Sequence, residues 1–245
     1  MEIKFNPKKT QIMAIGGKKG EETIMLCGAE IEWVDKMKYL GVWLNKNNNN
    51  KDHLNERRIN TWRAYHSIKK EIGLEKKEMK PELKAFIWKS YIRPIAYYGL
   101  ENVYPSKSDI KKIQTMEAKK IKRMLGLSTR TKNTHLLYAL NIEPVEFKFN
   151  KLKINFFRRL LTNEYTKRFV TRMGGMESKL NNEVVEITGK QLREIRDEDL
   201  SIRVKEIERM ILPVKKNGIA QSIKTCLSHE SERNKILLNL LIKAF

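Results

Sequence analysis

The feature that most constrains this chain is a change of hydrophobic period near residue 51. Before it, apolar residues come in short runs rich in β-branched and aromatic types: Ile3 and Phe5, Gln11 to Ile15, Thr23 to Leu26, Ile31 to Val34, and Lys38 to Leu44. Gly16-Gly17, Gly20 and Gly28 punctuate these runs. Short strands with glycine turns predict a small antiparallel sheet. From residue 51 the spacing becomes helical. Leu54, Ile59, Trp62, Tyr65, Ile68 and Ile72 share one face, and Gly73 ends it. A second helix is expected from Pro81, with Leu83, Phe86, Ile87 and Tyr91 inward and a kink at Pro94. A third carries Ile110, Ile113, Met116, Ile121, Met124 and Leu125 between Asp109 and Gly126. A fourth follows Pro144 with Val145, Phe149, Leu152, Phe156 and Leu160.

The fold class is therefore α+β, a small N-terminal antiparallel sheet followed by a mostly helical body. Three regions are expected: strands over 1–45, a helical region over 46–162, and a helical extension over 163–245. Within the extension, Gly174-Gly175 reads as a linker. Leu200, Val204, Ile207 and Ile211 mark a helix broken by Pro213, and Ile236 to Leu241 mark a last one. There is no internal repeat.

Charge narrows the partner. Fifty Lys and Arg against 29 Asp and Glu leave a formal charge of +21 on 245 residues. The basic pairs are not a tail. They recur as Lys8-Lys9, Lys69-Lys70, Lys111-Lys112, Lys119-Lys120 and Arg158-Arg159, mostly inside helical periodicity. Folded helices with basic outer faces suit a polyanionic duplex, and nucleic acid is the expected partner, with a membrane surface least favoured. No apolar run approaches the length that crosses a bilayer; Ile236 to Phe245, broken by Asn239 and Lys243, comes nearest. The opening MEIKFNPKKT has no secretory pattern, and Cys27 and Cys226 cannot build a disulfide framework. An intracellular, reduced protein is expected.

Self-sufficient catalytic chemistry is missing. The aspartates are Asp35, Asp52, Asp109, Asp197 and Asp199. The one close pair, Asp197 and Asp199, precedes an apolar helical run, where capping explains it better than a two-metal site. Histidines 53, 66, 135 and 229 are scattered, and Cys226 with His229 supplies half of a zinc site at most. Gly16-Gly17-Lys18-Lys19-Gly20 lacks the spacing of a phosphate-binding loop and reads as a hairpin turn. No metal site and no cofactor are expected in this chain.

Two strings carry a resemblance. Asn6-Pro7-Lys8-Lys9-Thr10, followed by Gln11-Ile12-Met13, and later Lys38-Tyr39-Leu40-Gly41-Val42-Trp43-Leu44 resemble, in order and separation, the end of the palm domain of non-LTR retrotransposon reverse transcriptases. Asn6, Lys9 and Thr10 match the family's N-x-x-K-T string, and Tyr39, Leu40 and Gly41 its Y-L-G string. Arg57-Arg58 through Ile72 looks like the first thumb helix. Tyr91-Ile92-Arg93-Pro94 with Tyr97-Tyr98-Gly99-Leu100-Glu101 is similar to the family's L-x-P-x-x-x-Y-G-x-E stretch. Ile113-Gln114 through Arg123-Met124-Leu125-Gly126 resembles the helix after it. The likeness covers roughly residues 1–160.

The resemblance implies a reverse transcriptase's palm tail and thumb, with Lys9 as a general acid toward departing pyrophosphate. It implies nucleic-acid contacts from Lys8, Lys9, Thr10, Tyr39 and Gly41, from Arg57, Arg58 and Arg63, and from a stripe of Lys112, Lys119 and Arg123. The partners would be RNA and an RNA–DNA hybrid or DNA duplex, with the upstream polymerase region as a further partner. The chain departs from the family where the chemistry lies. The Y/F-x-D-D hairpin and the earlier aspartate have no counterpart, so Mg2+ would belong to a catalytic palm not present here. The expectation is a truncated or split polymerase, inactive alone, that holds template and primer. The rival is a domesticated helical module that binds RNA or protein. From the residues alone, Tyr39, Leu40, Val42 and Leu44 also suit a buried strand, and Trp62 and Trp88 suit core positions.

Overall fold

The computed structural model describes residues 5–17, 20, 22–173, 178–191 and 194–210. The segments Gly174-Gly175 and 211–245, with Cys226, His229 and the expected last helix, lie outside the described residues. The architecture is α+β, short strands followed by a largely helical region. The chain divides into two compact units, residues 1–59 and residues 60–245.

The first unit begins with a 3-10 turn at Pro7–Lys9. Six strands follow: β1 (Gln11–Ile12), β2 (Met25–Leu26), β3 (Ala29–Glu30), β4 (Glu32–Trp33), β5 (Lys36–Tyr39) and β6 (Val42–Asn45). They form three two-stranded ladders and not one antiparallel sheet. β2–β3 and β5–β6 are antiparallel hairpins, whereas β1–β4 is parallel. The β2–β3 hairpin is inserted between β1 and β4, so the chain returns beside β1 in the same direction. Both hairpins turn on two residues with positive φ, Cys27-Gly28 and Leu40-Gly41, as tight hairpin turns require.

The helical elements are longer and better buried. α1 (Lys51–Ile72) ends at Gly73, whose φ of +65° closes the helix. α2 (Pro81–Ile87) runs into a π turn (Trp88–Ile92) and α3 (Arg93–Tyr97). The Arg93 N–H reaches back to the Trp88 carbonyl, which widens the turn just before Pro94, a residue with no N–H to give. The expected kink is thus a π turn. Ala85, Ile87, Trp88 and Ile92 are buried, while Leu83 and Phe86 on α2, ahead of the π turn, and Tyr91 within it are exposed, contrary to the simple helical reading.

α4 (Lys107–Met124) opens with a reciprocal capping box between Ser106 and Asp109 and ends before Gly126, φ +65°. Periodicity does not mark α5 (Asn133–Ala139), because Leu136 to Leu140 form a continuous apolar run, all of it buried. α6 (Val145–Thr162), α7 (Glu164–Met173), α8 (Lys179–Thr188) and helical residues 197–210 (α9) complete the described chain. Asp199 accepts from the Arg196 N–H at 2.9 Å, the capping role expected of it, and Asp197 binds Arg158 at 2.7 Å.

The helical unit has two apolar cores. One joins Tyr65, Leu74, Trp88, Ile92, Ile121, Met124 and the α5 leucines. The other joins Ile154, Phe157, Val170, Val184, Ile187, Leu200 and Ile207. Among the described residues no helix is long and apolar enough to cross a membrane.

Candidate nucleic-acid interface

The first string folds into a capped turn. The Asn6 Oδ1 accepts from the Lys8 N–H at 3.0 Å, and the Thr10 hydroxyl donates to the Asn6 carbonyl at 2.9 Å. Asn and Thr therefore hold the ends of one 3-10 turn, as short polar side chains do. Lys8 and Lys9, between them, are exposed. The turn is a local device for presenting two ammonium groups.

The second string is the tip of the β5–β6 hairpin. Its register pairs Lys38 with Trp43 and Tyr39 with Val42. Lys36 and Lys38 lie 5.6 and 5.9 Å from the Trp43 ring centroid, and their ammonium groups also face Asp52 and Glu56 at 3.7 and 3.9 Å. The tip itself is not core. Tyr39 is 65% and Leu40 76% exposed, and Leu44 on the same strand pair is exposed as well. Leu40 holds φ +46°, a left-handed conformation that costs a leucine about 1–2 kcal/mol. Gly41 follows at φ +81°. A strained apolar tip beside two lysines is suited to meet something outside the unit.

The arginine cluster of α1 is split by burial. Arg57 is buried, and its guanidinium does not share the exposed setting of Arg58 and Arg63. Arg58 donates to Asn55 and Arg63 to Asn60, both within one helical turn. On α4 the expected stripe is exposed throughout: Lys112, Lys119 and Arg123 all face outward. Lys112 pairs with Asp109 at 3.1 Å, in a site where such pairs contribute little.

Arg123 belongs to a denser group that no local sequence pattern announces. Glu75 gathers three donors: the Tyr65 hydroxyl at 2.7 Å, Lys69 at 2.7 Å and Arg123 at 2.8 Å. Burial pushes the Glu75 carboxyl up, but the bonds from Lys69 and Tyr65 and the charge of Arg123 outweigh it and hold it below the ordinary range. Beside it, the Lys120 Nζ lies 2.8 Å from the Trp62 ring centroid and 3.9 Å from that of Tyr65. That amine is buried without a hydrogen-bond partner. Burial, with the Arg123 charge, lowers its pKa to about 7. Trp62, read as core from its neighbours, is 40% exposed and stacks on His66 at 5.4 Å. Partial burial and then Lys120, Arg123 and Lys69 lower His66, which favours its neutral ring. The one sequence signal for this group is the spacing of Trp62, Tyr65, His66 and Lys69 on one helical face.

The Y-G-x-E stretch lines an indentation of about 450 Å³, with Arg93, Pro94, Tyr98, Gly99 and Glu101 around it and Lys148 on its rim. At its base Arg93 is bidentate on buried Glu117, at 2.9 and 3.4 Å, and donates to the Glu143 carbonyl at 2.6 Å. Burial raises the Glu117 pKa against the pull of Arg93. This pair is a structural bolt, because its polar atoms are spent on each other, on the Glu143 carbonyl and on the Tyr97 hydroxyl.

The aspartates do not fit a magnesium pair. Asp35 binds Lys46, Asp52 binds Asn45 and Lys36, Asp109 caps α4, Asp197 binds Arg158, and Asp199 binds Lys190. Among the described residues no three His, Cys, Asp or Glu side chains come together as metal ligands. No protein-family model, curated protein or solved structure matches the chain.

Proposed function

We propose that this chain is the nucleic-acid-holding, C-terminal part of a retroelement RNA-directed DNA polymerase, not catalytic by itself. The observation that carries the reading is the β5–β6 tip. A buried strand would hide Tyr39 and Leu40, yet both side chains are exposed at the tip of a tight hairpin turn. In the resembled family that string meets the primer. An exposed tip with backbone accessible at Gly41 is what such a contact needs. The Asn6 turn, displaying Lys8 and Lys9, and the outward Lys112, Lys119 and Arg123 supply charge for phosphates. Such contacts follow the duplex backbone and read no sequence, which suits a protein that slides.

The test is binding of an end-labelled RNA–DNA hybrid, followed by fluorescence anisotropy across a salt series. Affinity should fall steeply with salt, and Lys112→Gln with Lys119→Gln should flatten the slope by ~0.9 for each phosphate left unneutralised. Tyr39→Ala should weaken binding at a recessed primer end more than at a blunt duplex. Weak binding to every nucleic acid at low salt would overturn the reading, as would a double variant with the wild-type slope.

A further inference from the structure

α7 carries a surface that the proposed reading does not use, in a part of the chain beyond the resemblance. Tyr165 is 91% and Phe169 64% exposed, the former more open to water than any other large apolar side chain among the described residues. Arg168 and Arg172 are exposed too. Tyr165, Arg168, Phe169 and Arg172 stand at i, i+3, i+4 and i+7, so rings and guanidinium groups alternate along one helical face. Lys167, Arg168 and Arg172 also border a shallow depression of about 780 Å³, with Glu164 as its single acid. The Glu164–Arg168 pair, 3.7 Å apart and 83% exposed on both sides, leaves that arginine available to another anion.

The helix beneath is fixed. The Asn163 side chain accepts from the Tyr165 and Thr166 N–H groups at 3.0 and 3.3 Å, and the Thr166 hydroxyl donates to the Leu160 carbonyl at 2.7 Å. Val170, on the opposite face, is buried in the second apolar core. The exposed rings are thus held on a rigid base, not collapsed onto the protein.

We propose that the Tyr165–Arg168–Phe169–Arg172 face of α7 is a platform for single-stranded nucleic acid, with unpaired bases stacked on the two rings and phosphates held by the cations between them. Charge complementarity selects a polyanion. The rings select one with accessible base faces, since a duplex offers its phosphates but keeps its bases stacked. A membrane-surface helix is built differently, with rings and cations on opposite faces, whereas here they share one stripe. The platform goes beyond the duplex-holding role, and the two fail separately.

The experiment uses the full chain and two probes, a labelled oligouridine RNA of about 12 nucleotides, within the span of known single-strand sites, and a blunt RNA–DNA hybrid of the same length. Tyr165→Ala and Phe169→Ala remove exposed rings and should leave the fold intact, checked by circular dichroism. Each should weaken oligouridine binding by about five- to 150-fold, the range for removing one base stack, and leave the hybrid within about twofold, a difference worth ~0.4 kcal/mol. Tyr165→Phe should restore the wild-type value. Unchanged oligouridine affinity in the alanine variants would overturn the platform. So would equal weakening on both probes, or an effect confined to phosphatidylserine vesicles. A wild-type chain that binds the hybrid but not the single strand overturns the platform alone; one that binds neither overturns both readings.

Discussion

Replacing Lys120 with Met should stabilise this protein, although it deletes a lysine from a face rich in aromatic contacts. The Lys120 side chain is 1% exposed, and its amine has no hydrogen-bond partner. Its fall from 10.5 to about 7 corresponds to ~5 kcal/mol against the charged form. The Trp62 and Tyr65 faces favour an ammonium and return ~2 kcal/mol. Methionine keeps the unbranched stem and fills the same space without the amine. The expected gain near neutral pH is ~2 kcal/mol, or roughly 4–8 °C in Tm for a chain of this size. The sign with pH follows from the depressed value. Between about 7 and 10.5 the unfolded chain binds more protons at this position than the folded one, so wild-type stability rises with pH there. Below about 7 the cost is fully present. The groups around the amine are Glu75, which favours its charge, and Arg123 and Lys69, which oppose it; His66 stacks on the same tryptophan. Calorimetry of wild type and variant from pH 6 to 10 reads the effect, and the gap should narrow as pH rises. A variant less stable than wild type at pH 7, or a gap independent of pH, would refute the reasoning and make the aromatic cage a net stabiliser of the cation.

Two further outcomes follow from buried or strained groups. Glu117→Gln should destabilise by ~3–5 kcal/mol by leaving the Arg93 guanidinium buried against a neutral partner, read as a loss of denaturation midpoint. Replacing both Arg93 and Glu117 with Met should cost clearly less than the single change. Leu40→Gly should stabilise the β5–β6 hairpin by ~1 kcal/mol through relief of its positive φ, while Gly41→Ala should lose a similar amount; thermal melts of the two variants give opposite shifts.

The elements announced by punctuation are legible in the sequence. Gly73 and Gly126 end their helices, Asp109 caps one, and the period from Leu54 to Ile72 gives α1 to within a few residues. What is not legible depends on a single inserted residue or on tertiary placement. The π turn at Trp88–Ile92 changes the register of the residues after it, and no periodicity count registers one extra residue; Phe86, ahead of it on α2, is exposed because Ala85 and Trp88 take the inner face. α5 escapes because an unbroken apolar run has no period. The candidate site divides in the same way. Asn6 and Thr10 act within five residues, so the Lys8-Lys9 turn can be read locally. The group around Glu75 needs α1 and α4 side by side, which no local pattern reports. Arg57 and Arg58 are adjacent in sequence, yet one is buried and one exposed, because neighbouring helical residues point about a quarter-turn apart.

The two units also differ in how far they satisfy their own apolar surface, and that bears on the proposed function. In residues 1–59 the one large apolar side chain that is buried, among the described residues, is Ile31. Phe5, Ile15, Ile24, Met25, Tyr39, Leu40 and Leu44 are exposed in the same unit. Burying an apolar side chain of this size contributes ~1.5–3 kcal/mol, so these exposed side chains forgo stabilisation that the half-buried Ile12, Trp33, Met37, Val42 and Trp43 gain only in part. Their two-residue ladders add little, since isolated hairpins are marginal in water. The helical unit does the opposite, with Trp88, Tyr65, Phe157 and their neighbours fully buried. Strand edges and apolar side chains left open together are surface on which a further strand or partner would gain contact. The exposed Tyr39–Gly41 tip lies on the unit that leaves most of its apolar surface open, so a partner bound there should raise the stability of residues 1–59 more than that of the helical unit, which hydrogen exchange on the free and hybrid-bound chain would read.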